Sequence, residues 1–285
     1  MPQETTLDRL SPLLDRFRVR ASLFHNGPLC GVTRFDARPG RGFLHVMRNG
    51  EMEVHHAASS GMVQRVVVRE PSLVFYPRPL AHDFHNAPTE GSDFVCATLD
   101  FEQGDAHPLV QALPPLVVLP LAQVAGINET LALLFGEAER VRCGQRLLAD
   151  RLFEVLLLQL LRWMLDQRDV PLPVGLLNGL ADPRLARALT AVHARPGEPW
   201  TLERLATEAG MSRSRFAESF REAMGTTPAD YVADWRLSIA RAELRAGKPL
   251  KLLASELGYA NASALSRLFT QRHQGLSPRA WLQRS

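Results

Sequence analysis

Two stretches of this 285-residue chain are copies of one unit, and no other feature constrains its fold as strongly. TLERLATEAGMSRSRFAESF (201–220) aligns with LKLLASELGYANASALSRLF (250–269). Ala206 and Gly210 recur as Ala254 and Gly258, 48 residues later. Phe220 recurs as Phe269, 49 residues later, and GTTPADY (225–231) as GLSPRAW (275–281), 50 residues later. Self-similarity of this kind marks a duplicated supersecondary unit.

The unit reads as a helix-turn-helix. Ala206 and Ala254 are small enough to let two helices cross closely. The glycine four residues on supplies the left-handed residue of a tight turn. Ser212 and Asn261 are N-cap residues for the second helix of each unit. Phe216 with Phe220, and Leu265 with Phe269, fall at i,i+4 on a core face. That leaves Arg213, Ser214, Arg215, Ala217, Glu218 and Arg221 facing outward in the first unit. Ala262, Ser263, Ser266 and Arg267, followed by Arg272, face outward in the second. A helix entering a major groove needs such a face, because small side chains admit the backbone while Arg and Ser reach bases and phosphates. Between the units, 228–247 carries Tyr231, Trp235, Ile239 and Ala242 on one stripe. It predicts one helix of about 27 Å at 1.5 Å per residue. Such a spacer sets two recognition helices about one DNA turn, roughly 34 Å, apart.

Charge supports this reading. Residues 183–285 carry 16 Lys/Arg against 9 Asp/Glu, whereas 1–182 carry 17 against 21. A basic third joined to an acidic remainder points to a nucleic-acid module attached to something else.

That remainder has a different texture. Residues 1–17 place Leu7, Leu10, Leu13, Leu14 and Phe17 at helical spacing. From about 20 to 101, short runs such as VTRF, FLHVM, EMEVHH, VQRVVV, SLVFY and DFVCATLDF alternate with turn residues, and Asn49-Gly50 signals a two-residue hairpin. Many short antiparallel strands imply a barrel or sandwich. Residues 127–167 turn helical, and the helix at about 145–167 carries Leu147, Leu148, Leu152, Val155, Leu156, Leu160 and Trp163 over one wide face. That face suits either core packing or a dimer contact. RDVPLPVGLLNGLAD (168–182) reads as a linker. The domain boundaries expected are 1–170, a linker at 171–182, and 183–285. The first residues show no secretory pattern, no apolar run has membrane length, and three cysteines (Cys30, Cys96, Cys143) form no disulfide framework. A cytoplasmic protein is expected.

The repeat residues resemble the AraC/XylS family of bacterial transcription regulators. ASELGY (254–259), Ser266-Arg267-Leu268-Phe269 and Gly275-Leu276-Ser277-Pro278 match that family's signature stretch. Leu265 stands where the family usually has Phe, and one additional residue separates Phe269 from Gly275. Upstream, 180–206 resembles a subgroup whose N-terminal domain is a cupin barrel. The resemblance implies an α+β chain: a cupin-type β-barrel with flanking helices, then an all-α domain of two helix-turn-helix units.

The second cupin motif reads G-x5-P-x-G-x2-H-x3-N. In YPRPLAHDFHN and the residues before it, Pro77, His82 and Asn86 fit, while Pro71 and Pro79 replace glycines. Of the first motif's ligands FLHVMRNGE retains His45, with Met47 at the second histidine position and Glu51 further on. Oxygen-activating iron cupins need three or four N/O ligands, so this set suits zinc better once a thiolate joins it. Cys96 is the third candidate ligand, and His25 or Cys30 the fourth. His45, His82 and Cys96 match the reactive-chlorine-responsive branch of the family, which implies zinc and an oxidant-sensing thiol at Cys96. That branch's other cysteine falls near Phe24-His25, where this chain has none, and Cys30, five residues on, is the redox candidate in its place. Strand alternation groups Cys96 with Phe94, Thr98 and Asp100 but leaves open which face lines the barrel. His55, His56 and His85 are expected to be solvated.

The chain is therefore expected to be a non-enzymatic regulator that binds double-stranded promoter DNA. Homodimerisation would use the N-terminal region, with RNA polymerase as a further candidate partner and no membrane contact. A competing reading makes the barrel a pocket for a small organic effector, with the histidines as hydrogen-bonding groups. A third makes it a cupin metalloenzyme with a helical appendage, which the incomplete first motif disfavours.

Overall fold

The computed structural model of the protein describes residues 7–86, 92–139, 142–167 and 172–284. These fall into two compact units, one within 18–171 and one combining segments of 1–17 and 172–285. The first cupin residues expected at the N-terminus thus group instead with the C-terminal unit.

In chain order the elements are α1 (Ser11–Leu14), β1 (Val19–Leu29), β2 (Val32–Phe35), β3 (Arg41–Asn49), β4 (Met52–His55), β5 (Arg65–Val68), β6 (Ser72–Tyr76), β7 (His82–Asn86) and β8 (Ser92–Phe101). Then follow α2 (Pro108–Ala112), β9 (Val117–Pro120), α3 (Ile127–Ala138), α4 (Gln145–Asp166), α5 (Leu176–Ala181), α6 (Pro183–Ala194) and α7 (Leu202–Ala209). The last are α8 (Arg213–Met224), α9 (Pro228–Arg245), α10 (Leu250–Glu256), α11 (Ala262–Arg272) and α12 (Pro278–Leu282).

The first unit is two antiparallel sheets, ordered β1-β8-β3-β6-β9 and β2-β7-β4-β5. Their inner faces meet in one apolar core. Phe43, Met47, Val74, Tyr76, Phe94 and Cys96 come from the larger sheet, and Phe35, Met52, Val54, Val68 and Phe84 from the smaller. Asn49-Gly50 is a turn with Gly50 at φ 86°, but not the expected hairpin. The strands it joins, β3 and β4, lie in different sheets. A left-handed glycine serves a sheet-to-sheet crossing as well as a hairpin, so local turn chemistry alone could not decide. Strand β1 is a sheet edge whose unpaired N–H groups need acceptors. Helix α4 supplies them: Asp150 accepts from Leu23 N at 2.7 Å and Glu154 from Ala21 N at 3.4 Å. The single apolar face expected on α4 divides in two. Leu152, Leu156 and Leu160 are buried, whereas Leu147, Leu148 and Val155 are exposed.

The second unit contains both repeats. Helix α5 corrects the expected linker: Leu176, Leu177 and Leu180 are buried, and the chain becomes helical seven residues before the expected domain start. A Cβ on Gly179 would sit 2.3 Å from the Met224 sulfur and 2.9 Å from a Leu189 methyl, so α5 packs closely on α6 and α8. The N-terminal helix expected over 1–17 is one turn, Ser11–Leu14; residues 1–6 lie outside the described set. Its apolar residues are used all the same. Leu10, Leu13 and Phe17 are buried, with Phe17 edge-on to Trp235 at 5.1 Å. Among the described residues no helix is long and apolar enough to cross a membrane.

Candidate nucleic-acid interface and barrel histidines

Each repeat builds the same corner. Helix α7 ends at Gly210 (φ 63°), with Met211 N bonded to Ala206 O at 2.9 Å. After α10, Gly258 takes φ 74° and Tyr259 N bonds to Ala254 O at 2.8 Å. Both are the six-to-one closure of a helix C-terminus, which needs a left-handed residue. The recognition helices α8 and α11 then start on the expected caps. The Ser212 hydroxyl accepts from Arg215 N and the Asn261 carbonyl from Ala264 N. The second corner is one residue longer before its cap, which accounts for the repeat period passing from 48 to 49. The additional residue after Phe269 has a place as well. Helix α11 stops at Arg272, and Gln274 and Gly275 both turn left-handed (φ 51° and 82°) to reach α12. In α8 a single left-handed Gly225 does the same work.

Burial divides the helices as the repeat predicts. Phe216, Phe220, Leu265 and Phe269 are buried. Arg213, Ser214, Arg215, Glu218, Arg221, Ser263 and Arg267 are exposed, and Ala217, Ala262 and Ser266 are half-buried beside them. The charges are not equally available. Arg213 pairs with Glu203 at 2.7 Å, and Arg215 with Glu218 at 3.2 Å. Arg272 is exposed but held by Asp230 and Asp234 of α9. Arg221 and Arg267 make no ion pair among the described residues.

In the barrel, one row of paired residues runs across three strands: His25 of β1, Cys96 of β8 and His45 of β3. A register shift between Leu23 and His25 brings His25 onto this row. His82, from the opposite sheet, meets His45 with its Nε2 at 3.1 Å. The His82 Nδ1–H donates to Leu80 O at 2.9 Å. His82 Nε2 therefore carries a lone pair, and in the neutral pair the His45 Nε2–H must donate to it. His45 Nδ1 is then buried without a partner. Burial, then the neighbouring His82 and His25, pushes the His45 pKa well down. Burial likewise lowers His82 to about 4, against the opposing pull of the Leu80 carbonyl. Burial pushes the Cys96 thiol up, away from the thiolate.

These donors go part of the way to a zinc site. A separation of 3.1 Å is near the edge of roughly 3.3 Å for a tetrahedron with Zn–N of about 2.0–2.1 Å. The carbonyl-fixed tautomer of His82 leaves the correct nitrogen free. Yet among the described residues no three His, Cys, Asp or Glu side chains converge tightly enough to hold a metal ion. His25 is half-buried and its Nε2 lies 3.1 Å from Gly27 O on its own strand. The chain presents a two-nitrogen anchor with a thiol alongside, and the fourfold site is not assembled. Cys30 is exposed, five residues beyond His25 and one past the end of β1. At about 3.3 Å per residue that is roughly 16 Å, so it does not meet Cys96 within the roughly 7 Å a disulfide allows.

Two neighbours of the pair escaped the sequence reading. Tyr76 stacks on His82 at 4.0 Å, and its hydroxyl lies 2.9 Å from His56 Nε2. His56 is 7% exposed and not solvated as expected. The alternation of EMEVHH carried the signal, because Met52, Val54 and His56 share one parity and one inward face. His55 and His85, of the other parity, stack together at 4.0 Å on the outer side.

Comparison with known proteins agrees with this architecture. Residues 8–166 match the family model described as Cupin, and 205–284 that described as Helix-turn-helix domain. A putative AraC-like transcription regulator of Streptomyces lividans is 34% identical over 95% of this chain and 95% of its own. Another, from Streptomyces antibioticus, is 35% identical over 60% of this chain, a match that spans 56% of that relative's length. The RCS-specific transcriptional activator RclR of Escherichia coli is 28% identical over 76% of this chain and 77% of its own. The chain belongs to the AraC-like transcription regulators, with an N-terminal cupin domain and a C-terminal helix-turn-helix domain.

Proposed function

We propose that the chain regulates transcription by binding promoter DNA through α8 and α11 in successive major grooves, and that the barrel receives the controlling signal. The observation that carries the reading is the pair of capped recognition helices, each with its aromatic or leucine anchor buried and an Arg/Ser face exposed. The basic balance of 183–285 adds the sequence-independent attraction to phosphate.

For the signal, the packing around His45 and His82 favours an input that needs no cavity. Rings of Phe35, Phe43, Tyr76 and Phe84 lie at 4.0–5.7 Å centroid distance from one or both imidazoles. An organic effector has to displace this packing, whereas a metal ion or a small oxidant does not. His45 and His82 are the proposed anchor, with Cys96 the thiol beside them. The Escherichia coli relative is named as an RCS-specific activator. A zinc content that persists through low-metal purification, and is lost in His82→Ala, supports the metal form; no zinc in either protein sinks it. Oxidant-dependent DNA affinity that survives Cys96→Ala sinks the thiol form.

Dimerisation is proposed through helices α3 and α4, where Leu133, Leu147, Leu148 and Val155 are each exposed. RNA polymerase is the proposed partner in activation. Sedimentation of Leu148→Glu together with Val155→Glu tests the dimer, and an unchanged mass overturns it.

A further inference from the structure

We propose that a backbone clamp of Gly197 on Gly258, held by Arg236, fixes the separation of the two recognition helices, so that the chain accepts two half-sites at one spacing only. The proposal rests on the DNA-binding reading above.

Helix α9 by itself is one strut between the repeats. It ends at Arg245, and Gly247 (φ 86°) follows before α10 begins. The second repeat reaches back to this helix through Arg272, paired with Asp230 and Asp234, but those ion pairs are solvent-exposed and hold it only loosely. The structure supplies a firmer tie. The loop after α6 passes over the corner of the second repeat, backbone against backbone. A Cβ on Gly197 would lie 2.2 Å from the Glu256 carbonyl oxygen, and a Cβ on Gly258 would lie 2.2 Å from the Gly197 carbonyl oxygen. No side chain fits at either place.

Arg236, on α9 between the two repeats, holds that loop in position. Its Nε donates to Pro196 O at 2.7 Å and its Nη2 to Glu198 O at 2.7 Å. Its guanidinium also lies over the ring of Tyr259, 5.4 Å from the centroid. One side chain thus ties together the loop before the first repeat, the connecting helix and the corner of the second. Loop 195–200 leads directly into α7, so the clamp joins the two helix-turn-helix units at a point away from α9.

The consequence is geometric. One base pair inserted between half-sites moves the second by about 3.4 Å and rotates it by roughly 35° around the duplex. A pivoting repeat can follow such a change, but one closed by a backbone contact cannot. Gly258 is also held by its left-handed backbone, which confounds a substitution there. Gly197 is outside that region, so Gly197→Ala acts only as a wedge. Arg236→Gln removes the tie without filling space.

The test uses the full chain and a DNA site obtained by selection from random duplexes. Inserts of one to three base pairs are placed between the half-sites, and affinity is read together with thermal unfolding and binding to a single half-site. For wild type the proposal predicts a loss of at least tenfold for one inserted base pair. For Gly197→Ala and for Arg236→Gln it predicts that the penalty falls below threefold, with single-half-site binding unchanged. A wild type that tolerates insertion, or folded variants that keep the full penalty, overturns the clamp while leaving the DNA-binding reading standing. A wild type that selects no DNA overturns both.

Discussion

His45 and His82 face each other across the barrel, Nε2 to Nε2 at 3.1 Å, and the two nitrogens cannot both carry a proton or both lack one without a cation between them. The Leu80 carbonyl settles the arrangement by taking the Nδ1 proton of His82. Nitrogen-15 spectra of metal-free protein should therefore show His82 protonated at Nδ1 and His45 at Nε2. The reverse assignment would contradict the geometry. If zinc binds the pair, the His45 Nε2 proton disappears on titration while the His82 Nδ1 proton remains.

The second unit has its own buried imidazole. His193 of α6 bonds the Tyr231 hydroxyl through Nε2 at 2.6 Å and lies tilted against the Trp235 ring at 4.1 Å. Burial, aided by the charge of Arg16, lowers its pKa to about 3. The unfolded chain, at about 6.5, then binds the proton first, so stability is complete above that value and is lost as pH falls from 6.5 toward 3. The slope from this one proton is up to about 1.4 kcal/mol per pH unit. Chemical denaturation of His193→Gln at several pH values should show that slope removed. An unchanged pH dependence would place the acid sensitivity elsewhere.

Helix α5 is part of the DNA-binding unit only if Gly179 packs as observed. Gly179→Ala drives a methyl into Met224 and Leu189, and overpacking of this kind typically costs about 1–3 kcal/mol. Calorimetry should show a lower melting temperature for the second unit, with the first unaffected. A neutral result would return 176–181 to the status of a linker.

The N-caps predict a smaller and matched effect. Ser212→Ala and Asn261→Ala each remove one acceptor at the start of a recognition helix, at about 1 kcal/mol. Equilibrium unfolding measures both, and a loss at one cap alone would mean that the repeats are not equivalent.

The repeat was legible because its signals are local. Capping residues, turn glycines and i,i+4 anchors each act within a few positions, and Ser212, Asn261, Gly210 and Gly258 all serve as the spacing predicts. What escaped is long-range. Asn49-Gly50 looks like a hairpin until β3 and β4 choose different sheets. Leu176, Leu177 and Leu180 look like linker residues until α6 and α8 give them a surface to cover. The barrel site falls between. His45 pairs with Cys96 in the strand register and meets His82 across the barrel, but whether three donors converge depends on side-chain directions across two sheets, and spacing along one strand does not contain that. Arg236 left no trace in the repeat pattern, because its partners are backbone carbonyls of another segment.

Arg267 probes most directly whether the two exposed helix faces bind DNA specifically. Arg267 is exposed on α11 and forms no ion pair among the described residues, whereas Arg213 is already paired with Glu203. The measurement is the affinity of wild type and Arg267→Ala, at fixed salt, for a selected target and for unrelated duplex. The expected result is a loss of about 1–3 kcal/mol on the target and little on unrelated DNA. Equal affinity of wild type for target and unrelated duplex would contradict it.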